Sequence, residues 1–486
     1  MSRPELSNIV ALYQAGRYEA ALELCAQGLH VVPNDESLTT LRAMSLQGLG
    51  RDVEAARIYR QLVTAHPGKS AYWANLGMAL RQIGEFAEAE DAYRHALSLQ
   101  PRHPGYLIDY GLLLLDMARI ADARHRFLDA VEIDPTSAEA RIYASLACFE
   151  CGDAQRAASL IPPAQEWNAL PDDLREELAT ALMQVGRTSD AEALLLDESR
   201  KPSLAGIVRL AQISERTNRV ERAQELLDRA RTSGRENDGQ ERIDILHLES
   251  SLALRAKNYD LAGRATEAIL SLRPPIQAEA TAHFTLATIA DKQKNPVLAM
   301  AHLEKAHAIQ FKLAADVAPE IAYSSGEPLQ VSSKWLRQDE CGFPHDPDAP
   351  AEKDSPVFIV GFPRSGTTML EQMLDAHPGY ASMDERATLQ RCIERMEVQK
   401  KEYPHDLHTL DRATADDLRR VYWTEVSKVI TLSPGQQLVD KNPLNMLRLP
   451  MIVRLFPNAK IILALRHPCD VLLSCYMQNF RSPAFM

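Results

Sequence analysis

The stretch FIVGFPRSGTTMLEQMLDAHP, residues 358–378, places an apolar run, a polar turn and a helical pattern in immediate succession. Val357–Val360 is a short continuous apolar run, which is typical of a buried parallel strand. The helical pattern covers Thr367–Ala376 and stops at His377-Pro378. A turn between a strand and a helix N-terminus leaves backbone N–H groups able to bind an anion, and the helix dipole adds favourable potential. The stretch therefore predicts a phosphate-binding loop in an α/β fold.

The side chains of this turn fit the same chemistry. Pro363 sets the turn, and Gly366 lets the backbone approach a ligand closely. Arg364 supplies a planar guanidinium that suits phosphate or sulfonate oxygens. Three further residues add hydroxyl donors: Ser365, Thr367 and Thr368. This density of donors favours an anion-binding loop over an ordinary polar turn.

The glycine spacing of residues 361–366 also matches the nucleotide-hydrolysing P-loop, G-x-x-x-x-G-K-[ST]. However, Thr367 stands where that motif has its lysine. The later strands lead into Asp440-Lys441 and Arg466, so the sequence offers no obvious acidic strand end for magnesium. A P-loop kinase is therefore the less favoured alternative.

Strand-like and helical segments alternate through the rest of the C-terminal region. Strands are predicted at Gln437–Val439 and Lys460–Leu465, and a helix is predicted over Asp470–Phe480. Thr414 with Asp417 forms a capping signal ahead of another helix. Alternating strands and helices predict a parallel sheet with helices on both faces.

A different pattern fills the first three hundred residues. A glycine is followed five residues later by an alanine, and the pairs recur in steps of 34 residues: Gly16/Ala21, Gly50/Ala55, Gly84/Ala89, Gly152/Ala157 and Gly186/Ala191, with Ala118/Ala123 in the remaining slot. Prolines keep the same step: Pro33, Pro67, Pro101 and Pro135. Segments around Asn218, Asn258 and Asn295 continue the pattern with irregular spacing, which gives about nine units.

Each unit predicts two short amphipathic helices that bury their apolar faces only by stacking on neighbours. The small turn residue permits a tight connection, the alanine lets the helices approach, and the proline ends the second helix. Residues 72–101, YWANLGMALRQIGEFAEAEDAYRHALSLQP, contain every part, and roughly residues 4–312 resemble tetratricopeptide repeats. The resemblance implies a right-handed superhelix with a concave binding face. Cys148 and Cys151 form a lone C-x-x-C at the end of a first helix, where packing is favoured over metal or redox chemistry.

These patterns divide the 486-residue chain into three parts. Residues 1–312 are predicted to form an all-α tetratricopeptide-repeat superhelix. Residues 313–355 are predicted to form a linker rich in turn-forming residues, with one short helix around Ser333–Leu336. Residues 356–486 are predicted to form an α/β P-loop-like parallel-sheet domain. Two or more domains are also the default for a chain of this length.

The composition argues against several classes of protein. The formal net charge of −12 argues against a general nucleic-acid binder. The 7 cysteines are spread along the chain and odd in number, which indicates a reducing compartment rather than a disulfide framework. The sequence shows neither a signal-peptide pattern nor an apolar stretch of membrane-spanning length. We therefore expect a soluble cytoplasmic protein.

Four motifs follow one another within residues 356–486: PRSGTT, LDAHP, DKNP and LRHPCDVLLSCYMQNF. Together they resemble the sulfotransferases that use 3′-phosphoadenosine 5′-phosphosulfate. The nearest resemblance is to the branch that includes tyrosylprotein sulfotransferases and bacterial tetratricopeptide-repeat sulfotransferases. It implies an enzyme that moves a sulfonate group from this donor to a hydroxyl acceptor and needs no metal.

The resemblance also implies which residues bind the donor. The loop from Arg364 to Thr368 would bind its 5′-phosphosulfate end. Arg466 and Ser474 match the arginine and serine that hold the 3′-phosphate. Arg466 closes a strand and Ser474 lies one turn into the next helix, so both can face one cleft at the strand ends.

Three catalytic roles follow from the same resemblance. Lys441 matches a lysine that stabilises charge near the transferred sulfonate, and Arg364 shares this task. Glu385 matches the glutamate that activates the acceptor hydroxyl. Asp384 lies beside it, so the choice between these two carboxylates rests on alignment alone. The acceptor stays open among protein, peptide, carbohydrate and lipid hydroxyls, and the repeat groove is expected to bind the acceptor or a partner.

A non-catalytic scaffold is the alternative interpretation. Nine repeats suffice for a binding protein, and the C-terminal domain would then only bind a nucleotide or be degenerate. Members of the family usually continue with further helices and a loop that covers the donor. Because the sequence ends at Met486, soon after Ser474, we expect the C-terminal domain to be incomplete.

Overall fold

The computed structural model describes residues 6–196, 202–233, 239–323, 346, 348–383 and 385–480. The short helix predicted around Ser333–Leu336 and the carboxylate of Asp384 lie outside these residues. The chain divides into two compact units. The repeat unit comprises Met1–Tyr323 and Asn479–Met486, and the sheet unit comprises Ser324–Gln478. Within the described ranges, none of the helices combines the length and the apolar character needed to cross a membrane.

The described part of the repeat unit is helical throughout and contains nine consecutive pairs of packed helices. The helices are α1 Leu6–Gln14, α2 Tyr18–Val31, α3 Glu36–Gly48, α4 Asp52–Ala65, α5 Ser70–Gln82, α6 Phe86–Leu99, α7 Pro104–Asp116, α8 Ile120–Ile133, α9 Ala138–Glu150, α10 Ala154–Leu160, α11 Asp172–Gln184, α12 Thr188–Leu195, α13 Leu204–Arg216, α14 Val220–Ser233, α15 Gln240–Arg255, α16 Tyr259–Ser271, α17 Ile276–Lys292 and α18 Pro296–Val317, followed by the short α19 Pro319–Ala322. A 3₁₀ turn at Ala164–Ala169 precedes α11.

The residue between the two helices of a pair adopts a left-handed backbone conformation. In the regular repeats it is the glycine of the sequence pattern, for example Gly16 with a φ of 69° and Gly84 with a φ of 81°. Ala118 takes this conformation with a φ of 58°, at a cost that glycine would avoid. In the last two pairs the left-handed residues are Lys257 and Lys294. The asparagines that follow them, Asn258 and Asn295, accept a hydrogen bond from the first turn of the second helix and cap it.

The alanine of the pattern occupies the contact between paired helices. Ala21, Ala55, Ala89, Ala123 and Ala157 all have no exposed surface. A methyl group fills such a contact while keeping the helix axes close, so a larger side chain would force the pair apart. Cys148 is also fully buried, and burial raises the pKa of its thiol to about 11, as expected for a packing residue rather than a redox centre.

Partial burial desolvates the carboxyl group of Asp109 on α7 in the repeat unit. Burial, with a smaller contribution from the charge of Glu139, raises the pKa of Asp109 on α7 to about 6. The unfolded chain binds this proton with a pKa near 3.9. The native state therefore binds this proton more tightly than the unfolded chain does. The resulting contribution to the free energy of unfolding is fully present below about pH 3.9 and is lost as the pH rises through 6.

We therefore expect Asp109→Asn, which keeps the shape of the neutral carboxyl, to stabilise the repeat unit at neutral pH. The gain at pH 7.5 should be at most about 3 kcal/mol, and it should vanish near pH 4. Urea denaturation followed by circular dichroism at both pH values measures it. Glu132→Gln, on the exposed side of α8, is the matched control and should change neither midpoint. An equal effect of Asp109→Asn at both pH values would contradict the expectation.

The described residues of the sheet unit form four parallel strands in the order β2-β3-β1-β4. They are β1 Val357–Gly361, β2 Tyr380–Ser382, β3 Gln437–Lys441 and β4 Lys460–Ala464. Val357 on β1 is in register with Val439 on β3 and with Lys460 on β4. The predicted multidomain architecture, a helical repeat unit followed by a parallel sheet, is confirmed.

Helices cover both faces of the sheet. They are α20 Thr367–Asp375, α21 Thr388–Val398, α22 Arg412–Ser427, α23 Leu449–Leu455 and α24 Pro468–Tyr476, with 3₁₀ turns at Glu352–Asp354, Leu407–Thr409 and Pro443–Arg448. Phe358 on β1 packs with Tyr422 and Phe456 on one face. Val357 and Ile359 face the opposite side with α20. This alternation explains why β1 is buried along its whole length.

Several local predictions differ from the structure. The predicted elements do not include β2 and α21; β2 has only three residues, too few for a clear period. The cap of α22 is Asp411, whose side chain accepts from the N–H of Thr414, so the Thr414–Asp417 capping signal was misplaced. The last helix begins at Pro468 rather than Asp470, because proline is well suited to the first helical turn.

The segment before β1 is anchored within the sheet unit rather than behaving as a plain linker. Asp346 forms a buried ion pair with Arg419 of α22, with 2.6 Å between the carboxylate and guanidinium atoms. This pair lowers the pKa of the Asp346 carboxyl, chiefly through the hydrogen bond from Arg419. Asn458 donates to the carbonyl of Pro350 at 2.9 Å. The structured part of the sheet unit therefore begins before the predicted boundary at residue 356.

Candidate functional site

The loop between β1 and α20 has a backbone shape that presents N–H groups. Arg364 and Gly366 both have positive φ angles, 70° and 98°. Gly366 stands at the N-cap position of α20, and no side-chain cap bonds to the first helical turn. The N–H of Ser365 closes the turn onto the carbonyl of Phe362 at 3.1 Å. The N–H groups of Thr367 and Thr368 come before the first helical hydrogen bond, which Met369 donates to the carbonyl of Gly366. Such leading N–H groups are the ones that bind anions at helix N-termini.

Gly361 must be glycine for a steric reason. A Cβ atom there would lie 2.7 Å from Ser365 Oγ and 2.8 Å from the carbonyl oxygen of Ala464 on β4. The hydroxyl of Ser365 is buried and has no hydrogen-bond partner among the described residues. A buried hydroxyl without a partner costs free energy, so this group fits a site completed by an anionic ligand. Thr367 is also buried, whereas Thr368 is exposed.

The residues predicted to bind the two ends of the donor lie together at the strand ends. The Arg364 guanidinium donates through Nε to Ser474 Oγ of α24 at 3.1 Å. Arg466, just after β4, makes a long 3.4 Å hydrogen bond from Nη1 to the carbonyl of Arg364. The thiol of Cys475 donates to the carbonyl of Pro363 at 3.6 Å, which ties α24 to the loop. Arg466 and Ser474 are therefore both in contact with Arg364 of this loop.

The predicted lysine and glutamate form an ion pair. Lys441 is the last residue of β3, and its side chain is only 2% exposed. Its Nζ lies 2.7 Å from Glu385 Oε1, and the Glu385 side chain is 51% exposed. The two residues are far apart in sequence, and the parallel sheet brings them together because the strands end at one edge. The alternative base, Asp384, lies outside the described residues.

A second carboxylate at Lys441 was missed by the sequence analysis. Glu371 lies in the middle of α20, is 2% exposed, and has Oε2 3.2 Å from Lys441 Nζ. Its other oxygen accepts a hydrogen bond from the hydroxyl of Ser382 at the end of β2. The available signal was a glutamate on the inward-facing side of a helix whose neighbouring positions are apolar. Buried charges are rare without a partner, so that position called for a cation nearby.

Asp440, the residue before Lys441, fixes the end of β3 from inside. Its fully buried carboxyl accepts hydrogen bonds from the hydroxyls of Thr388 and Tyr422 and from the amide of Asn445, at 3.1, 2.7 and 3.1 Å. Burial raises the pKa of Asp440 to about 6, although these three donors lower it. Asp440 thus acts as a structural acceptor, and it does not face the loop as a magnesium ligand would.

Among the described residues, no group of three or more His, Cys, Asp or Glu side chains is arranged to hold a metal ion. The expectation of metal-free chemistry remains a prediction from the family resemblance.

These features describe an α/β unit with a lysine–carboxylate pair at its strand ends and, after β1, a loop whose geometry resembles that of anion-binding loops. Residues 356–485 match the family model described as sulfotransferase family. Residues 70–103 and 109–161 match two models described as tetratricopeptide repeat. The chain therefore joins tetratricopeptide repeats to a sulfotransferase-family domain, as the sequence motifs predicted.

Individual relatives agree with the family models. Protein-tyrosine sulfotransferase 1 of Mus musculus is 32% identical over 118 residues, which are 24% of this chain and 32% of that protein. A putative protein-tyrosine sulfotransferase of Caenorhabditis briggsae is 33% identical over 111 residues, 23% of this chain and 39% of that protein. An uncharacterized protein of Aquifex aeolicus (strain VF5) is 28% identical over 220 residues, 42% of this chain and 27% of that protein. The chain thus spans about a third of the length of these curated relatives.

Two solved structures are similar to part of this chain. A tetratricopeptide repeat protein from Parabacteroides merdae ATCC 43184 is 18% identical, with a TM-score of 0.40, and the match covers 51% of this chain and 96% of that one. A thermophilic tetratricopeptide repeat protein from Thermus thermophilus is 24% identical, with a TM-score of 0.32, covering 37% of this chain and 97% of that one.

Proposed function

We propose that this protein transfers a sulfonate group from 3′-phosphoadenosine 5′-phosphosulfate to a hydroxyl acceptor. One observation carries the proposal. The Lys441–Glu385 pair at the end of β3 and the loop after β1 both lie at the carboxyl ends of adjacent strands in a sulfotransferase-family domain. The pair offers a cation for developing negative charge and a carboxylate for the acceptor proton. The loop offers a fixed place for the anionic donor.

The described residues fit this donor. The open N–H groups of α20 and the partnerless hydroxyl of Ser365 suit the phosphosulfate end. At Gly361 the backbone lies so close to Ser365 and Ala464 that a Cβ atom would clash with both. We assign Arg364 to Thr368 to the 5′ end. We assign Arg466 and Ser474, which both contact Arg364, to the 3′-phosphate.

When bound, the donor supplies a sulfonate that is already activated by a phosphate leaving group. The protein then has two tasks, which are to hold the acceptor hydroxyl in line and to stabilise negative charge. The Lys441 ammonium, the Arg364 guanidinium and the N-terminus of α20 provide positive potential. The half-exposed Glu385 carboxylate accepts the hydroxyl proton as general base. This chemistry needs no metal ion, because the fixed cations balance the charge.

The acceptor is a hydroxyl of a protein, peptide, carbohydrate or lipid, and we propose that the repeat unit binds it or a partner that carries it. The curated relatives are named for protein tyrosine, so a tyrosine peptide is the first acceptor to test. We place the protein in the cytoplasm on the basis of its sequence, without nucleic acid among its partners.

Transfer can be measured directly. The full chain is incubated with ³⁵S-labelled donor and, in separate reactions, a tyrosine peptide, an oligosaccharide and a hydroxylated lipid. We expect label on one class of acceptor and release of 3′-phosphoadenosine 5′-phosphate. Binding of that nucleotide without transfer to any acceptor would favour the alternative, a repeat scaffold with a degenerate nucleotide-binding domain. Use of a nucleoside triphosphate instead would favour the kinase alternative.

A deletion separates the roles of the two units. If the repeat unit presents the acceptor, removal of residues 1–312 should raise the KM for a large acceptor and leave the affinity for 3′-phosphoadenosine 5′-phosphate nearly unchanged. Steady-state kinetics and calorimetry on the same preparation measure the two quantities. An equal loss of both would count against acceptor presentation, and circular dichroism checks that the remaining domain is folded.

A further inference from the structure

Lys441 is placed between two carboxylates that differ sharply in exposure. Glu371 Oε2 lies 3.2 Å from its Nζ and is buried with it, each side chain being 2% exposed. Glu385 Oε1 lies 2.7 Å from the same Nζ, and about half of the Glu385 side chain is exposed to solvent. The Lys441 ammonium therefore forms ion pairs with a buried carboxylate, Glu371, and with a solvent-accessible one, Glu385.

The surroundings hold Glu371 in place. It projects from α20, one turn after the anion-binding loop, and the hydroxyl of Ser382 donates to its second oxygen. The N–H of Ser382 is bound in turn by Asp375 Oδ1 at 2.8 Å, at the end of the same helix. Glu371 is thus tied to β2 and β3, whereas Glu385 is joined to this network through Lys441. Its depth keeps Glu371 from reaching an acceptor hydroxyl in solvent.

A buried ammonium needs a counter-charge at every stage of a reaction. If Glu385 were its sole carboxylate, taking up the acceptor proton would leave Lys441 buried and uncompensated. Glu385 would then be held to the lysine instead of turning to the acceptor. A second, buried carboxylate removes this conflict.

We propose that Glu371 is the resident counter-ion of Lys441 and, through it, a positioning residue for Glu385. The inference rests on the proposed sulfonate transfer and deepens it. Glu371 keeps the ammonium charged and aimed at the strand ends. Glu385 can then move away from the lysine and accept the hydroxyl proton, because the buried Lys441 ammonium still has Glu371 as its counter-ion.

The first test is Glu371→Gln, which keeps the length of the side chain and the acceptor for Ser382 but removes the charge. We expect kcat for sulfonate transfer to fall by about 10- to 50-fold, the scale of a disturbed charge contact. The Kd for 3′-phosphoadenosine 5′-phosphate should stay within about threefold, because the donor loop is untouched. Glu397→Gln, at the exposed end of α21, is the matched control and should leave both constants unchanged. A folded Glu371→Gln protein with wild-type kcat overturns the proposal.

A double-mutant cycle separates positioning from a general structural role. In the Lys441→Met variant the ammonium is gone, so Glu371 no longer has a positive charge to balance. Adding Glu371→Gln there should change the residual kcat by less than about twofold and should raise the melting temperature, since a buried unpaired carboxylate is removed. Effects on kcat that simply multiply would show that Glu371 acts independently of Lys441 and would overturn the proposal.

A spectroscopic readout keeps this inference distinct from the proposed function. Absence of transfer by the wild-type chain to every acceptor class refutes sulfonate transfer, but the counter-ion can still be observed by NMR on ¹⁵N-lysine-labelled protein. A solvent-protected ammonium signal that disappears in Lys441→Met identifies Lys441. We expect Glu371→Gln to abolish or strongly broaden this signal. Its persistence at the wild-type position and exchange rate would refute the counter-ion role in an active or an inactive protein.

Discussion

Replacing Glu385 by glutamine should lower the rate of sulfonate transfer by about 10²- to 10⁴-fold, the usual contribution of a general base. Glutamine keeps the size of the side chain and can still accept a hydrogen bond from Lys441, which lies 2.7 Å from Glu385 in the structure. It cannot take a proton from the acceptor. Binding of 3′-phosphoadenosine 5′-phosphate should therefore stay nearly unchanged, and single-turnover kinetics with saturating donor isolate the chemical step.

Asp384→Asn is the matched control for this prediction, since the two carboxylates are adjacent in sequence. The control should have little effect. Loss of transfer in Asp384→Asn with normal transfer in Glu385→Gln would move the base to Asp384 and show the alignment to be wrong by one residue. Normal transfer in both variants would refute general-base catalysis by either carboxylate, while leaving the donor site open to separate test.

The second large effect is expected at the anion-binding loop. Arg364→Ala should weaken the binding of 3′-phosphoadenosine 5′-phosphate by about 10- to 150-fold, because a charge-assisted hydrogen bond contributes about 1.5–3 kcal/mol. The substitution also removes the contact with Ser474 Oγ, which holds the guanidinium at the loop. Isothermal titration calorimetry with the full chain measures the affinity.

The control for Arg364→Ala should change the net charge by the same amount away from the loop. Arg420 on α22 suits this purpose, with a side chain that is 76% exposed and an ion pair to Asp417 on its own helix. Arg420→Ala should leave the affinity unchanged, since exposed ion pairs contribute little. If Arg364→Ala folds and binds as tightly as the wild type, the loop does not bind the donor through this residue.

These two predictions concern different steps, and the structure explains why they can be separated. Arg364 lies in the loop after β1, where it contacts α24. Glu385 lies beyond β2 and contacts the end of β3 through Lys441. A variant at one place does not remove a hydrogen-bond partner of the other. Loss of affinity and loss of chemistry should therefore appear in different variants.

The sequence by itself determined the architecture and the loop. The 34-residue step predicted the repeats because each unit repeats the same local requirements, namely a left-handed turn residue, a small contact residue and a helix stop. The order of strand, turn and helix around Gly366 predicted the loop for the same reason, since all of its parts are contiguous. Family motifs then supplied Arg364, Lys441 and Glu385 as candidates.

Only the tertiary structure decided which distant side chains meet. Glu371 carried no motif, and its ion pair became visible only in the fold, where α20 and β3 place it 3.2 Å from a buried lysine. Likewise, only the fold shows that the carboxyl of Asp440 is enclosed by three donors, which come from α21, α22 and the 3₁₀ turn at Pro443–Arg448. Local patterns specify secondary structure through short-range sterics and hydrogen bonds. Charge compensation between elements depends on burial and distance, which only the folded chain defines.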